Sequence, residues 1–405
     1  MTPWLSSILP SPMAVVYDWM DVRHGGAEQV LMAFHQLFPQ APFFTSIYRP
    51  QIANWANHWT IHSSWLRVIP DPIKNHRWLS PLMPLAFEEL NLSEYQMVIS
   101  VSSAFAKGIL TKPDQLHVNY LLTPPRFLYT HVNSYWSSAN LTDQIISWLS
   151  RPFQAYWHVW DQVAGHRPDY VIPISHRVKS RAEQIYQRPI EMPIYPPLSD
   201  EWNLSRHQSL NLTGNPGIIS LVNRLDSYFL VVGRLVNYKR VDLAIRAAHA
   251  TGHNLIIVGS GPDKYRLKHL VQSWKWDQVY FLADIDQPSL AWLYGHAQAL
   301  LMPGEEDFGI TALEALSMSC PVVIHQDSGA AELIKHRQTG WLLTRSSLSA
   351  LISALKSIHI LKFRTDIMST VARAHDFVSW RSRLVPVLAR LWKKHRSSGQ
   401  RRHDV

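Results

Sequence analysis

Short, almost wholly apolar runs alternate along this chain with longer segments whose apolar residues recur every three or four positions. The first run, Met13-Ala14-Val15-Val16-Tyr17, ends at Asp18 and passes into a loop bearing Gly25-Gly26, the pattern of a buried strand followed by a turn. From Ala27 onward Val30, Leu31, Phe34 and Leu37 share one helical face, and Pro39 closes the segment before a second run from Phe43 to Ile47. This spacing predicts a β-loop-α-β unit. Further strands are predicted at Met97 to Val101, Val118 to Leu122 and Tyr170 to Ile174, separated by enough chain for crossover helices. A second series follows at Tyr228 to Val232, Leu255 to Val258, Val279 to Leu282, Ala299 to Met302 and Val322 to His325.

Alternation of this kind predicts open parallel sheets covered by helices, hence an α/β chain of two doubly wound, Rossmann-like domains. Tyr195-Pro196-Pro197 ends the first series, and the polar stretch after Ser199, with Gly214 and Pro216, separates it from the second. The expected division is 1–198, a linker at 199–225, a second domain at 226–378, and a C-terminal helix with a basic tail at 379–405, placed to pack back on the first domain. Ligands of such sheets sit at the carboxyl ends of the strands, so a facing pair predicts a site in the cleft between them.

Composition narrows the function classes. The 405 residues are 46% apolar and 17% charged, ample for two cores and unlike a disordered chain. Lysine plus arginine outnumber aspartate plus glutamate 39 to 30, a net charge of +9 that calls for an anionic partner without choosing one. No nucleic-acid module is recognisable, so nucleic acid is not expected as a partner. Cys320 is the single cysteine, which excludes an intrachain disulfide and a cysteine metal cluster and points to a reducing, cytoplasmic setting. Met1 to Pro12 lacks a basic start and a sustained apolar run, so neither a signal peptide nor a membrane span is expected there.

Three strand ends carry candidate chemistry. Val231-Val232 runs into Gly233-Arg234-Leu235-Val236-Asn237-Tyr238-Lys239, where Arg234 and Lys239 are spaced to converge on one anion or to stand as two solvated loop cations. Gly259 and Gly261 follow the next strand, in a turn that either admits a ligand to the backbone or simply bends sharply. The strongest pattern is Gly304-Glu305-Glu306-Asp307-Phe308-Gly309-Ile310-Thr311-Ala312-Leu313-Glu314, an acidic loop opening a helix. Glu306 can accept hydrogen bonds from sugar hydroxyls, Glu314 can reach a ribose, and the helix start near Gly309 to Thr311 offers free N–H groups to a diphosphate. Acids stabilising their own helix would account for Glu305 and Asp307 but not for Phe308-Gly309.

On these residues the chain resembles the retaining nucleotide-sugar glycosyltransferases of glycosyltransferase family 4, whose fold, GT-B, is two Rossmann-like domains. Glu306 and Glu314 match the family's paired-glutamate motif, Arg234 and Lys239 its donor-phosphate pair, and Gly25-Gly26-Ala27-Glu28 its first-domain glycine loop. Ser102 to Gly108, Thr123-Pro124-Pro125-Arg126-Phe127-Leu128 and Arg167 to Tyr170 are similar to its mannosyltransferase-like members. The resemblance implies Glu306, Arg234 and Lys239 as catalytic residues and Gly25, Gly26, Gly233, Gly259, Gly261, Phe308, Gly309, Ile310 and Glu314 on the donor, with Arg126 on the acceptor. It implies a nucleotide sugar, first GDP-mannose, and a glycan or lipid-linked acceptor in surface polysaccharide assembly, with no cofactor and no metal.

The chain departs from that family where relatives carry histidine before Thr123-Pro124: here stands Leu122, which neither donates nor accepts a hydrogen bond. His117 is a poor substitute, because its odd offset from 122 along a strand points it to the other face. Ile174 and Ser319-Cys320 are smaller departures. They keep open a catalytically weakened binding partner, and a sugar-nucleotide epimerase or phosphorylase on the same fold is the other alternative. Basic and large apolar residues from Trp65 to Met83, the aromatic stretch Trp148 to Trp160, and Lys393, Lys394, Arg396, Arg401 and Arg402 suit an anionic membrane surface or, equally, covering helices and a solvated tail. The membrane reading would place the enzyme on the inner face of the plasma membrane.

Overall fold

The structure, a computed structural model, describes residues 7–23, 25–70, 76, 78–130, 141–202 and 215–403. Side chains of residues 141–152 and 399–403 are not described. The chain forms two compact units, Met1–Pro196 with Trp380–Val405, and Pro197–Ser379.

In the first unit six parallel strands are described, β1 (Met13–Tyr17), β2 (Phe43–Thr45), β3 (Ile61–Ser63), β4 (Met97–Ser102), β5 (Leu116–Leu121) and β6 (Tyr170–Pro173), in the order β3-β2-β1-β4-β5-β6. Register is continuous across the middle, with Val15 opposite both Phe43 and Ile99, and Ile99 opposite Val118. The central strands are buried on both faces, so they read as largely apolar runs, unbroken in β1 and interrupted by buried Ser100 in β4 and by His117 and Asn119 in β5. β3 was not predicted: Ile61-His62-Ser63 is a half-exposed edge strand with one apolar residue. Helix α1 (Gly26–Leu37) crosses from β1 to β2, burying Val30, Leu31, Phe34 and Leu37, the predicted face. Phe34 meets Trp380 of the C-terminal helix Phe377–His403 edge-on, ring centroids 5.1 Å apart.

Helix α2 (Leu141–Ala164) buries Trp157 and Trp160 in this unit's core. It also brings Asp161 to Lys107, an ion pair with both side chains 1% exposed, and the Tyr129 and Tyr186 hydroxyls donate to the same carboxylate at 2.9 and 3.0 Å. A buried charge is tolerable only when paired and hydrogen-bonded, so Lys107 has a structural task here.

The second unit repeats the plan with β7 (Tyr228–Val232), β8 (Asn254–Val258), β9 (Val279–Leu282), β10 (Leu300–Met302), β11 (Val322–His325) and β12 (Gly340–Leu343), ordered β12-β11-β10-β7-β8-β9 and parallel. β12, another edge strand, also escaped prediction because it is four residues long and starts on glycine. Within the expected linker, residues Pro216–Asn223 form helix α3, capped by Asn215, whose side chain accepts from Gly217 N–H at 2.9 Å, with Pro216 at the first helical position. Asn-Pro-Gly suits a turn, but here it starts a helix.

Candidate active site

The site is built at the carboxyl edge of the second sheet. β7 delivers Gly233 and Arg234, and a single 3-10 turn, Asn237–Lys239, follows. Lys239 turns back so that its Nζ lies 2.8 Å from Glu306 Oε1, with the two side chains 19% and 12% exposed. Arg234, Lys239, Gly304 and Glu306 line one small cavity with Val231, Val232 and Met302. The structure thus brings together the three residues expected to be catalytic.

Gly304 explains how the acidic loop gets so close to Lys239. A Cβ on Gly304 would overlap the Tyr238 carbonyl oxygen and lie 2.5 Å from Lys239 Cα, so only glycine lets the two backbones touch. Gly259 (φ 143°) and Gly261 (φ 157°) act similarly: added Cβ atoms would strike the Gly233 and Leu235 carbonyl oxygens. Hydrogen bonds Gly233 N–H to Val258 O (3.0 Å) and Leu235 N–H to Ser260 O (2.8 Å) lock the two loops together. The glycine turn of β8 therefore fits the purely structural reading, as the brace of the loop carrying Arg234.

Beyond Glu306, helix α4 (Ile310–Ser317) starts from Gly309, which has φ 93°. Phe308 is buried, and its carbonyl accepts from Ala330 N–H at 2.7 Å, so its ring belongs to the core. Ile310 is half-buried. Glu314 is 4% exposed and takes the Tyr294 hydroxyl at 3.0 Å; burial, then the Glu314 charge, push the Tyr294 phenol well above its ordinary range, so it remains a donor. A second loop was missed from the sequence. Ser328 Oγ accepts from Glu306 N–H at 3.1 Å, and Gly329 N–H donates to the Glu306 carbonyl at 3.0 Å, pinning the acidic loop to the segment after β11. The only sequence signal was its Ser-Gly pair at a strand end.

In the first unit Gly25 caps α1, and a Cβ there would stand 2.6 Å from Glu28 Oε2, while Tyr17 OH donates to Glu28 Oε1 at 3.2 Å. Gly26 opens the helix, and Arg126, half-buried, begins the short helix Arg126–Tyr129. Leu122 is buried, just past β5. His117 is inside the sheet, its Nε2 2.8 Å from Ser100 Oγ, and burial drives its pKa down to about 3; it does not replace the missing histidine. Cys320 is buried, its thiol pushed up to about 12 by desolvation, and offers no nucleophile.

Among the described residues, Glu305, His325 and Asp327 are a grouping able to hold a metal ion, with one ligand atom each within 4.8 Å of one another. Two of the three are exposed, and His325 Nδ1 accepts from Asp327 N–H at 3.2 Å. A cavity of about 340 Å³ lies at the end of β9, lined by Asp284, Asp286, Ser289, Leu282 and the start of α3.

A strand-end cation pair, a carboxylate on one of them and a buried acid about one turn into the next helix are the features that a sequence family can retain. Residues 220–368 match the family model of the glycosyl transferases group 1. The match covers the whole described site of the second unit. An uncharacterized glycosyltransferase of Methanocaldococcus jannaschii is 28% identical over 236 residues, 55% of this chain and 60% of that one. A GDP-mannose-dependent alpha-(1-6)-phosphatidylinositol monomannoside mannosyltransferase of Mycobacterium tuberculosis is 27% identical over 164 residues, 37% of this chain and 43% of that one. The chain thus spans less than two thirds of the length of these relatives. Among solved structures, Anabaena HepE in complex with UDP superposes with a TM-score of 0.62 at 16% identity, covering 93% of this chain and 100% of that one. The two six-stranded parallel sheets are those of the GT-B glycosyltransferase fold.

Proposed function

We propose that the chain is a retaining glycosyltransferase of family 4 that transfers mannose from GDP-mannose to a glycan or lipid-linked acceptor in surface polysaccharide assembly. The observation that carries this reading is the Lys239–Glu306 contact at 2.8 Å, on a cavity shared with Arg234. In the reaction the diphosphate leaves against Arg234, Lys239 and the start of α4. Glu306 holds the sugar, Glu314 the ribose, and the acceptor hydroxyl attacks from the face the diphosphate leaves. Fixed cations aimed at developing negative charge supply the main catalytic term, and the two cations do what a divalent ion would otherwise do.

The acid-lined cavity at β9 supports guanine. Strands lie about 4.8 Å apart, so β9, two strands from β7, stands roughly 10 Å from the phosphate cations, the reach of a nucleoside. Guanine presents N1–H and N2–H side by side, two donors for one carboxylate, which uracil and adenine lack. The Mycobacterium tuberculosis relative's named donor agrees with this.

Thermal melting against GDP, UDP and ADP, followed by product analysis with radiolabelled GDP-mannose, tests the proposal. GDP is expected to raise the melting temperature most, and mannose to pass to an acceptor without a requirement for metal. Activity lost with EDTA and restored by Mn²⁺, or isomerised donor as the product, would overturn it. Leu122 favours a second reading, a catalytically weakened partner, which predicts the GDP shift without turnover on any acceptor pool.

We further propose a peripheral, cytoplasmic-face membrane location. Among the described residues no helix is long and apolar enough to cross a membrane. Phe153, Tyr156, Val159 and Val163 are exposed at helical spacing along α2, which packs against residues 80–82 beside exposed Trp78 and Leu82. Trp157 and Trp160, by contrast, are core. Lys74, Arg77 and the side chains of Trp148, Arg401 and Arg402 lie outside the described residues. Cosedimentation with anionic but not neutral vesicles at low salt is expected.

A further inference from the structure

The segment from Trp65 to Met83 suits a membrane surface or a covering helix on its sequence, and Leu66, Leu79 and Met83 within it are core; His76 is also turned inward, toward the loop leaving β1. His76 lies flat on Trp19, ring centroids 4.6 Å apart and planes 7° from parallel. Its Nδ1 is 2.8 Å from Asp21 Oδ2, with the two side chains 13% and 5% exposed. Trp19 and Asp21 belong to the loop leaving β1, held in place as Met20 N–H donates to Ile47 O at 2.7 Å and Arg49 N–H to Met20 O at 2.9 Å. The group therefore sits at the carboxyl edge of the first sheet, where doubly wound folds take ligands.

A carboxylate only accepts, so in the neutral imidazole Nδ1 carries the proton and donates it, leaving the Nε2 lone pair as an acceptor. No described residue donates to Nε2. Asp21 Oδ1 is buried with no hydrogen-bond partner, a cost a merely structural pair has no reason to carry. An imidazole held in one tautomer by a carboxylate, braced by an indole and short of a donor, is arranged to receive an O–H group.

We propose that Trp19, Asp21 and His76 form a hydroxyl-binding subsite for the sugar acceptor, with His76 Nε2 accepting from an acceptor O–H and Asp21 acting as the positioning residue behind it. This rests on the transferase reading for its biological sense, but its test does not depend on turnover. The full-length protein labelled with ¹⁵N-histidine would be titrated with octyl glycosides of mannose, glucose and galactose. The His76 resonances would be assigned by their loss in His76→Gln.

The expected result is a saturable shift of the His76 Nε2 resonance with at least one glycoside. Asp21→Asn should weaken that apparent affinity about tenfold or more, because an amide no longer enforces the tautomer. The GDP-induced melting shift, which reports the second unit, should stay unchanged in both variants. In turnover assays His76→Gln should raise the acceptor KM while leaving the donor KM alone, and His76→Ala should raise it further, since only Gln keeps an acceptor atom near Nε2. His76 resonances unmoved by all three glycosides, or binding within twofold of wild type in Asp21→Asn, would overturn the subsite. A wild type shifted by none of GDP, UDP and ADP would instead overturn the transferase reading and leave the His76 result standing.

Discussion

Asp18 and Glu306 occupy comparable places, directly after β1 in the first unit and four residues after β10 in the second. Asp18 is fully buried and accepts five hydrogen bonds, from the N–H groups of Ser103, Ala104, Phe105 and Ala106 and from the Ser103 hydroxyl, at 2.6 to 2.9 Å. Its charge is spent on its own fold, clamping the loop after β4. Glu306 rests on a half-buried lysine at the wall of a cavity. One fold plan therefore uses strand-end acids in two ways, and what separates them is whether backbone donors or a side-chain cation meet the carboxylate.

The largest effect should come from the second acid. Glu306→Gln removes the charge that holds Lys239 and, on the proposed mechanism, a contact to the transferring sugar. Transfer should fall roughly 10²- to 10³-fold, with stability changed by less than about 1 kcal/mol because the pair is partly solvated. Steady-state rates with labelled GDP-mannose, alongside urea denaturation, check both. A rate within threefold of wild type would place Glu306 with Asp18, as scaffold.

Asp18→Asn should do the reverse. Five donors would face an amide that offers one oxygen and brings two donors of its own, so the first unit should lose about 3 kcal/mol, read from urea denaturation. The GDP-induced melting shift of the second unit should survive. If Asp18→Asn were neutral in stability, the contrast between the two acids would collapse.

These two carboxylates also mark how far the sequence could be read. The central strands were legible because burial on both faces makes them mostly apolar runs, and the edge strands at Ile61 and Gly340 were not because they lack that constraint. The acidic loop was visible since acids cluster beside the end of β10, with Glu306 in the loop and Glu314 in the helix that follows. Asp18 gave no signal, because its importance lies in N–H groups 85 to 88 residues away. Ser328, Asp21 and His76 are further cases of contacts across loops, which no local spacing encodes. The helix that starts at Asn215-Pro216 inside the expected linker was not legible, because that dipeptide serves a turn as well as a helix cap.

His117 supplies a pH test within the first unit. Burial first, then Arg188 and Arg167, hold its pKa at about 3 in the folded chain, against an ordinary 6.5. The unfolded chain therefore binds a proton on this residue between those values while the folded chain does not. Stability should be intact above pH 6.5 and fall as the pH drops through it, by about 2 kcal/mol at pH 5. His117→Gln should flatten that part of the denaturation profile, measured by urea midpoints from pH 7.5 to 5. An unchanged slope would mean that another group sets the acid limb.

The smallest effect concerns the base. Asp284 lies in the left-handed region, φ 51°, which asparagine also tolerates, so Asp284→Asn removes a charge without bending the loop. Asp286 already spends Oδ1 on the Ser289 N–H at 2.9 Å, as the cap of helix Gln287–His296, and Asp286→Asn keeps that acceptor. If a carboxylate in this cavity reads guanine, one of the two variants should lower the ratio of GDP to UDP affinity about tenfold, roughly 1.4 kcal/mol, leaving UDP binding unaltered. Isothermal titration with both nucleotides separates this from a general loss of phosphate binding, which would weaken GDP and UDP alike. Equal ratios in both variants would leave Lys239 and Glu306 in place and move the base elsewhere. The second unit's acids would then serve the fold at β9, as Asp18 does at β1, and a ligand only at β10.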